Sequence, residues 1–452
     1  MSNAATGTGR TAGRWLVFAL ALVFASVAQA QDRGPEVARL MQKALAEGTV
    51  PVIVRLSVAG LDALTTASAA ATDHGGVGGR QLAQQQAADA LLTRAIDGAA
   101  DQLLRTLPHE SWAVNNRYAS VPFLALRVSA DALTSLYASP VMAGVEEDVR
   151  VELIAPEPLA TTATGAETPH LDGTVDLVGA STAWRWGFTG AGWYIAILDT
   201  GIRPSHEFFA GKTIVEACFS KGADGTAGAG DCPNGQSTQT GAGSAAHHPS
   251  SYAGWDHGTH VAGIAAGNAG SLSGIARHAS LIALQVFSRQ PASSCSSGVP
   301  CVSSWNSDSL AALDWIYTNR GSYRTASANM SLGGGLYTSP CDGDSRKAAI
   351  DQLRNAGIAT AIAAGNDGAC GRLSAPGCIS SAIAVAASTD ADNQASFSNW
   401  HTSMVGLFAP GASVRSATGA SDTSYASWNG TSMATPHVAG AWALMKQVVS
   451  NG

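Results

Sequence analysis

Three residues in this chain have the types and neighbours that nucleophilic catalysis needs. Ser432 lies in Gly430-Thr431-Ser432-Met433-Ala434, a small-residue turn that opens into an apolar, alanine-rich run over 438–445. Such a turn exposes a hydroxyl at a helix N-terminus, where backbone N–H groups favour developing negative charge. His257 sits in Asp256-His257-Gly258-Thr259-His260, and Asp199 ends the apolar run 193–198. A serine hydroxyl is a poor nucleophile at neutral pH. It needs a base within hydrogen-bond reach, and that base needs a third group to orient it. Ser432 would attack a carbonyl and His257 would carry its proton to the leaving group. Asp199 would hold the imidazole and stabilise its cation. Each residue alone has an ordinary reading: an N-cap serine, a buried histidine, a strand-end turn former.

The order along the chain is Asp, His, Ser, the order known from subtilisin and not from the other two Ser-His-Asp solutions. With their flanks, the three motifs resemble those of the subtilisin-like serine proteases, from about Val50 to the end of the chain. The resemblance implies further roles. Asn366, in Ala363-Ala364-Gly365-Asn366-Asp367-Gly368, matches the family's oxyanion donor, with the Ser432 backbone N–H as second donor. Ser331, Leu332 and Gly333, in Asn329-Met330-Ser331-Leu332-Gly333-Gly334, match the strand edge that pairs with substrate, and Ala364 and Gly365 line the same cleft. Small residues there let two backbones approach. No acidic residue is placed in the inferred primary pocket, so apolar side chains are expected there rather than basic ones.

His260 competes with His257 for the role of base. The pair His257-x-x-His260 could suggest a metal, but Gly258 and Thr259 stand where a zincin needs glutamate. The family pattern gives the base to His257, and His260 is expected to pack beside the helix that starts there. An esterase of the α/β-hydrolase type would need Gly-x-Ser-x-Gly and the reverse triad order, whereas Ala434 stands in the second Gly position. The other alternative is a catalytically impaired secreted binding protein with the same fold. No metal site is assigned and no cofactor is required. The short stretch 264–272 lacks the family's Asn-rich calcium loop, so a structural calcium has no assigned site; Asp390, Asp392 and Asn393 could ligate an ion but read first as a solvated turn.

The elements that would position these residues fall into two units. Length, 452 residues, suggests two or three domains, and 46% hydrophobic against 13% charged content allows a large core. A net charge of -7 argues against nucleic acid as a partner. Arg10 and Arg14, an apolar run over 15–27 and Ala28-Gln29-Ala30 read as a signal peptide at 1–30, so a secreted protein, extracellular or periplasmic, is expected, with no membrane span after cleavage. Peptide or protein substrates and a monomer are the expected partners and state. All seven cysteines follow residue 217, which in an exported chain suggests disulfides. Cys218 with Cys232 and Cys295 with Cys301 are near neighbours; Cys341 could take Cys370 or Cys378.

Residues 31–154 read as strand 50–56, helix 80–107 with Leu82, Leu91, Ile96, Leu103 and Leu104 apolar, strand 122–128, a helix capped by Ser129, and a strand over 141–151. This is close to a ferredoxin-like α+β pattern. It is similar to the propeptides of the family, which act as intramolecular inhibitors. Val145-Glu146-Glu147-Asp148 resembles their pre-cleavage segment, which places the cut close to Ile154. Residues 155–174 suit a linker. From 175 to 452, strand-like runs at 193–198, 280–287, 326–332, 358–363 and 382–387 alternate with helical patterns at 258–267, 309–318 and 344–356. That alternation indicates an α/β fold, a mostly parallel sheet with helices on both faces. Twenty residues follow Ser432, fewer than the family carries, so the catalytic domain is expected to be incomplete at its C-terminus, with an eighth cysteine beyond.

Overall fold

The computed structural model describes residues 34–70, 79–153, 171–222, 230–270 and 272–451. The expected signal segment, the cut at Ile154 and residues 155–170 of the expected linker lie outside the described residues.

The first unit is built on β1 (Val50–Leu56), β2 (Trp112–Arg117), β3 (Phe123–Val128) and β4 (Met142–Glu147), antiparallel in the order β2-β3-β1-β4. Four helices accompany them: α1 (Pro35–Glu47), α2 (Leu61–Ala70), α3 (Gly79–Leu104) and α4 (Ala130–Ala138). Strand period two sorts the side chains. Val50, Val52, Val54, Leu124, Leu126 and Val128 bury against Leu40, Leu92, Ile96 and Leu103 of the helices. Ile53, Phe123 and Ala125, of opposite parity, join the core of the second unit. The sheet is therefore covered on both faces, one of them by the rest of the chain.

The order β-α-β-β-α-β is ferredoxin-like, and the Ser129 hydroxyl caps α4 by accepting from Ala132 N–H at 3.2 Å. Three details differ from the sequence expectation. Strand β2 and helices α1 and α2 were not anticipated; β2 is half-buried and carries Asn115, Asn116 and Arg117, so it shows no apolar run. In α3, Leu92 is buried while Leu91 is 52% exposed, because α3 turns a face defined by Leu92, Ile96 and Leu103 to the sheet. The single strand expected over 141–151 is two: β4, then β5 (Arg150–Glu152), which leaves the sheet for the second unit.

The second unit begins with α5 (Leu171–Leu177) and α6 (Ala180–Arg185), four residues ahead of the boundary expected at 175. Its main strands are β6 (Tyr194–Asp199), β7 (Ile214–Phe219), β8 (Thr238–Thr240), β9 (Ser280–Gln285), β10 (Ser288–Gln290), β11 (Cys301–Trp305), β12 (Thr325–Met330), β13 (Ala359–Ala363), β14 (Ile383–Ser388) and β15 (Val405–Pro410). Its longer helices are α7 (His257–Ala266), α8 (Asn306–Thr318), α9 (Arg346–Asn355) and α10 (Thr431–Asn451). Eight strands form one sheet in the order β15-β14-β13-β12-β6-β9-β7-β8, parallel except for β8 on β7. Ile195, Ile197, Leu281 and Ala283 face Val261, Ile264, Ala434 and Val438 of α7 and α10. Ala196, Leu198, Ile282 and Leu284 face Leu310, Leu313, Ile350 and Leu353 of α8 and α9. Burial on both faces explains why these strands read as continuous apolar runs.

Cys218 pairs with Cys232, Cys295 with Cys301 and Cys341 with Cys378; Cys370 is free and exposed. Among the described residues no helix is long and apolar enough to cross a membrane, and no group of three or more His, Cys, Asp or Glu could hold a metal. Asp392 and Asn393 lie in a turn closed by the Thr389 N–H and the Asn393 carbonyl at 2.8 Å.

Candidate active site

Parallel α/β sheets present chemistry at the C-terminal ends of their strands. Asp199 ends β6, Ser331 follows β12, and Asn366 lies three residues beyond β13. His257 opens α7 and Ser432 is the second residue of α10. Close approach of α7 to β6 rests on one glycine. A Cβ at Gly258 would stand 2.2 Å from the Gly201 carbonyl oxygen and 3.1 Å from the Asp199 Cβ.

The His257 Nδ1–H donates to Asp199, at 2.8 Å from Oδ1 and 3.1 Å from Oδ2. Asp199 Oδ1 also accepts the Thr200 N–H at 2.8 Å, which fixes the carboxylate. Both side chains are about 1% exposed. A carboxylate accepts only, so Nδ1 carries a proton, and in the neutral imidazole Nε2 keeps the lone pair. His257 Nε2 is buried without a hydrogen-bond partner among the described residues. The Ser432 hydroxyl donates to the Ser331 carbonyl at 3.3 Å. It is also fully buried, where the sequence reading expected an exposed hydroxyl. The Ser331 hydroxyl donates in turn to the Ser432 carbonyl at 2.9 Å, locking the two segments together.

Asn366 is oriented by Thr431. Its Oδ1 accepts the Thr431 N–H and hydroxyl, both at 2.9 Å. With Oδ1 engaged there, Nδ2 faces Gly430, 3.1 Å from where a Cβ would stand. Gly365 beside it has φ 109°, and a Cβ there would meet Asn399 Nδ2 at 2.2 Å and Ser374 Oγ at 2.4 Å. Only glycine fits this left-handed, crowded position. Ala364 is fully buried, its N–H given to the Val385 carbonyl at 3.0 Å.

Two other buried histidines, His260 and His437, are held in hydrogen bonds away from Ser432. His260 lies within α7 rather than beside it. Its Nε2–H donates to the Ala426 carbonyl at 3.0 Å and its ring stacks on Trp428, centroids 4.1 Å apart. Burial pushes its pKa down to about 3. Burial likewise brings His437 to about 4, with its two ring nitrogens at 2.8 Å from the Met433 carbonyl and 2.9 Å from the Thr174 hydroxyl. Trp428, whose ring also lies 6.2 Å from that of His257, was missed by the sequence reading. An aromatic residue two places before Gly430 was the available signal.

The edge expected to hold substrate is paired with the first unit. Arg150, Val151 and Glu152 pair antiparallel with Trp305, Ser304 and Ser303 of β11, and Leu153 bridges Leu332 in antiparallel sense. Upstream, Asp148 is fully buried. Its carboxylate accepts the Ser307 N–H at 3.0 Å, the Ser307 hydroxyl at 2.6 Å and the Lys221 ammonium at 2.9 Å. Asp308 lies 3.5 Å from the same ammonium. Burial opposes the Lys221 charge, but the two carboxylates hold its pKa above the usual value. Burial pushes Asp308 up to about 7 against the attraction of Lys221. Sequence reading saw Asp148 only as part of a segment before a cut; its buried partner, Lys221, lies 73 residues away in the chain.

Residues 190–452 match the subtilase family profile. An extracellular serine proteinase of Thermus sp. (strain Rt41A) is 34% identical over 77% of this chain and 72% of its own length. The alkaline serine exoprotease A of Vibrio alginolyticus is 34% identical over 58% of this chain, which spans 39% of that relative's length. A solved structure, a cold-adapted subtilisin-like serine proteinase, is 32% identical, with a TM-score of 0.41 over 58% of this chain and 77% of its own. The chain belongs to the subtilase family and is a serine-type endopeptidase.

Proposed function

We propose that this is a secreted endopeptidase made as a self-processing zymogen, working through Asp199, His257 and Ser432. The observation that carries the reading is Leu153 paired with Leu332, one residue from Ser331 and its contact with the Ser432 hydroxyl. A peptide strand laid there as the first unit lays its own would bring a carbonyl to Ser432. His257 Nε2, its lone pair fixed by the Nδ1–H bond to Asp199, would take the hydroxyl proton as the C–O bond forms, then give it to the leaving amine. The Asn366 Nδ2 and the Ser432 N–H would receive the oxyanion. Water would then repeat the cycle and release the acid. Ser331, Leu332 and Gly333 would hold substrate backbone, with Ala364 and Gly365 shaping the adjoining wall. No cofactor enters these steps.

Residues 31–154 would be the intramolecular inhibitor, cut after Ile154 and held on the same edge as product. A monomer is proposed, and named extracellular relatives support export. The test is the full chain with Ser432→Ala. It should stay unprocessed and inactive, while N-terminal sequencing of the wild-type product should begin at or shortly after residue 155. A mature N-terminus before Val145, or an Ala variant keeping more than a few per cent of turnover, would overturn the reading. The contact of Ser432 with Ser331 rather than His257 favours one other reading, an inert binding protein; labelling of Ser432 by a fluorophosphonate would exclude it.

A further inference from the structure

The strand lying on the substrate edge carries information beyond its backbone. We propose that the loop closed by the Cys295–Cys301 disulfide is a specificity element that reads an acidic side chain three residues before the scissile bond. The proposal rests on the endopeptidase reading and adds the substrate class to it. The loop joins β10 to β11, whose Ser288, Arg289 and Gln290 pair with Ser303, Val302 and Cys301. It reaches over the outer face of β5. There Glu152 Oε1 accepts the Ser296 N–H at 3.1 Å, and Oε2 accepts the Ser296 hydroxyl. Two donors from one residue meet the two oxygens of one carboxylate.

Register fixes what Glu152 stands for. Its backbone pairs with Ser303 and the next residue, Leu153, pairs with Leu332. The Leu153 side chain lies over Gly254, where a Cβ would come within 2.7 Å of its Cδ2, and within 3.4 Å of Val302 Cγ2. With the cut after Ile154, Leu153 is second and Glu152 third before the bond. An incoming substrate pairing with β11 and Leu332 in the same sense presents its third side chain to Ser296.

Charge chemistry decides the sign. Neighbouring cations are turned elsewhere. The Arg150 guanidinium bonds Gln290 and lies 5.5 Å from the Trp305 ring centroid, and Arg289 bonds Asp231 at 3.0 Å through Nε. The loop therefore offers neutral donors only. A carboxylate accepts both, an amide oxygen accepts in part, and an ammonium has nothing to accept with. Loop closure by the disulfide limits the conformations that must be lost on binding. Both partners are exposed, so the preference is modest, about 3–10-fold for charge-assisted hydrogen bonds at a wet site.

The experiment measures kcat/KM of the processed full-length product on four peptides, Xaa-Leu-Ile before the cut, with Xaa Glu, Gln, Ala or Lys. Glu should exceed Ala by about 3–10-fold, Gln should fall between them, and Lys should not exceed Ala. Ser296→Ala, and separately Cys295→Ser with Cys301→Ser, should cut the Glu-to-Ala ratio at least twofold. Equal rates for Glu, Ala and Lys, or a ratio unchanged by Ser296→Ala, would overturn the specificity proposal while leaving the endopeptidase standing. Cleavage of none of the four, with no fluorophosphonate labelling, would overturn the endopeptidase reading and the proposal together.

Discussion

Replacing Asp148 with alanine should loosen the first unit far more than any contact at the active-site strand. The magnitude follows from its surroundings. The carboxylate is fully buried and accepts three hydrogen bonds, from Ser307 N–H, Ser307 Oγ and Lys221 Nζ, at 3.0, 2.6 and 2.9 Å. Bonds to a charged group contribute about 1.5–3 kcal/mol each. Their full sum overstates the loss, because Lys221 retains Asp308 at 3.5 Å and water can enter the gap. Breaking one partner of a buried pair costs about 3–5 kcal/mol. At about 1.4 kcal/mol per tenfold, docking should weaken by roughly a hundred- to several-thousand-fold. The assay adds residues 34–153 in trans to processed enzyme and compares inhibition constants for wild type, Asp148→Asn and Asp148→Ala. The fragment has its own core around Val52, Leu92 and Leu124, and Asp148 lies outside it, so circular dichroism should be unchanged. Asn keeps an acceptor for Ser307 and should fall between the others. A fivefold or smaller change for a folded Ala fragment would refute the claim that this buried trio carries docking.

Asn366→Ala should lower kcat by about 10²–10³ with KM little changed, a magnitude taken over from the equivalent donor in subtilisin; steady-state constants on one peptide check it, and a pure KM effect would make Asn366 a binding residue. Glu146, on β4, should make docking weaken as pH rises. Burial pushes its pKa up to about 7, with Asp344 and Arg346 as the nearest charges; Arg55, Asp342, Lys347 and Asp351 line the same cleft. A carboxyl raised on docking binds its proton more tightly docked than free. Docking is therefore strongest below the free value near 4.5 and falls until about pH 7, where it levels off. Partial exposure discounts the effect to about tenfold. Inhibition constants from pH 5 to 8 should show the fall in wild type and not in Glu146→Gln.

Legibility of this chain in its sequence follows physical lines. The strands of the parallel sheet were plain because burial on both faces leaves runs such as Ile195 to Leu198 and Ala361 to Ala363 with no polar interruption. The triad stood out because Gly258, Gly365 and the turn before Ser432 are dictated by close approach, and close approach leaves a local mark. Strand β2 left none, since a half-buried edge tolerates Asn115 and Asn116. Long-range electrostatics were invisible for a different reason. Nothing near Lys221 indicates that Asp148 and Asp308 will flank it, and nothing near Trp428 indicates that it will stack on His260. The choice of Cys378 over Cys370 for Cys341 was equally a matter of tertiary distance.

The placement of the buried charges bears on how a zymogen of this design could stay inhibited after its own cut. The proposed cleavage after Ile154 would break the chain beyond Leu153, yet among the described residues the strong anchors lie before it. Asp148 binds Lys221 and Ser307, β5 is hydrogen-bonded to β11, and Ile53, Phe123 and Ala125 insert into the second unit's core. None of these contacts involves the bond that is lost. On the proposed reading, the cut alone would remove little of the docking energy, and the strand would remain on the edge that substrate would need. Two steps follow with separate controls. Chemistry would depend on Ser432 and its partners. Release would depend on a remote interface that includes Glu146, whose pKa burial raises to about 7. A variant that weakens only the interface, such as Asp148→Ala, should then shorten the lag before activity without changing kcat of the released enzyme. One that weakens only the chemistry should lengthen processing without changing the affinity of the first unit.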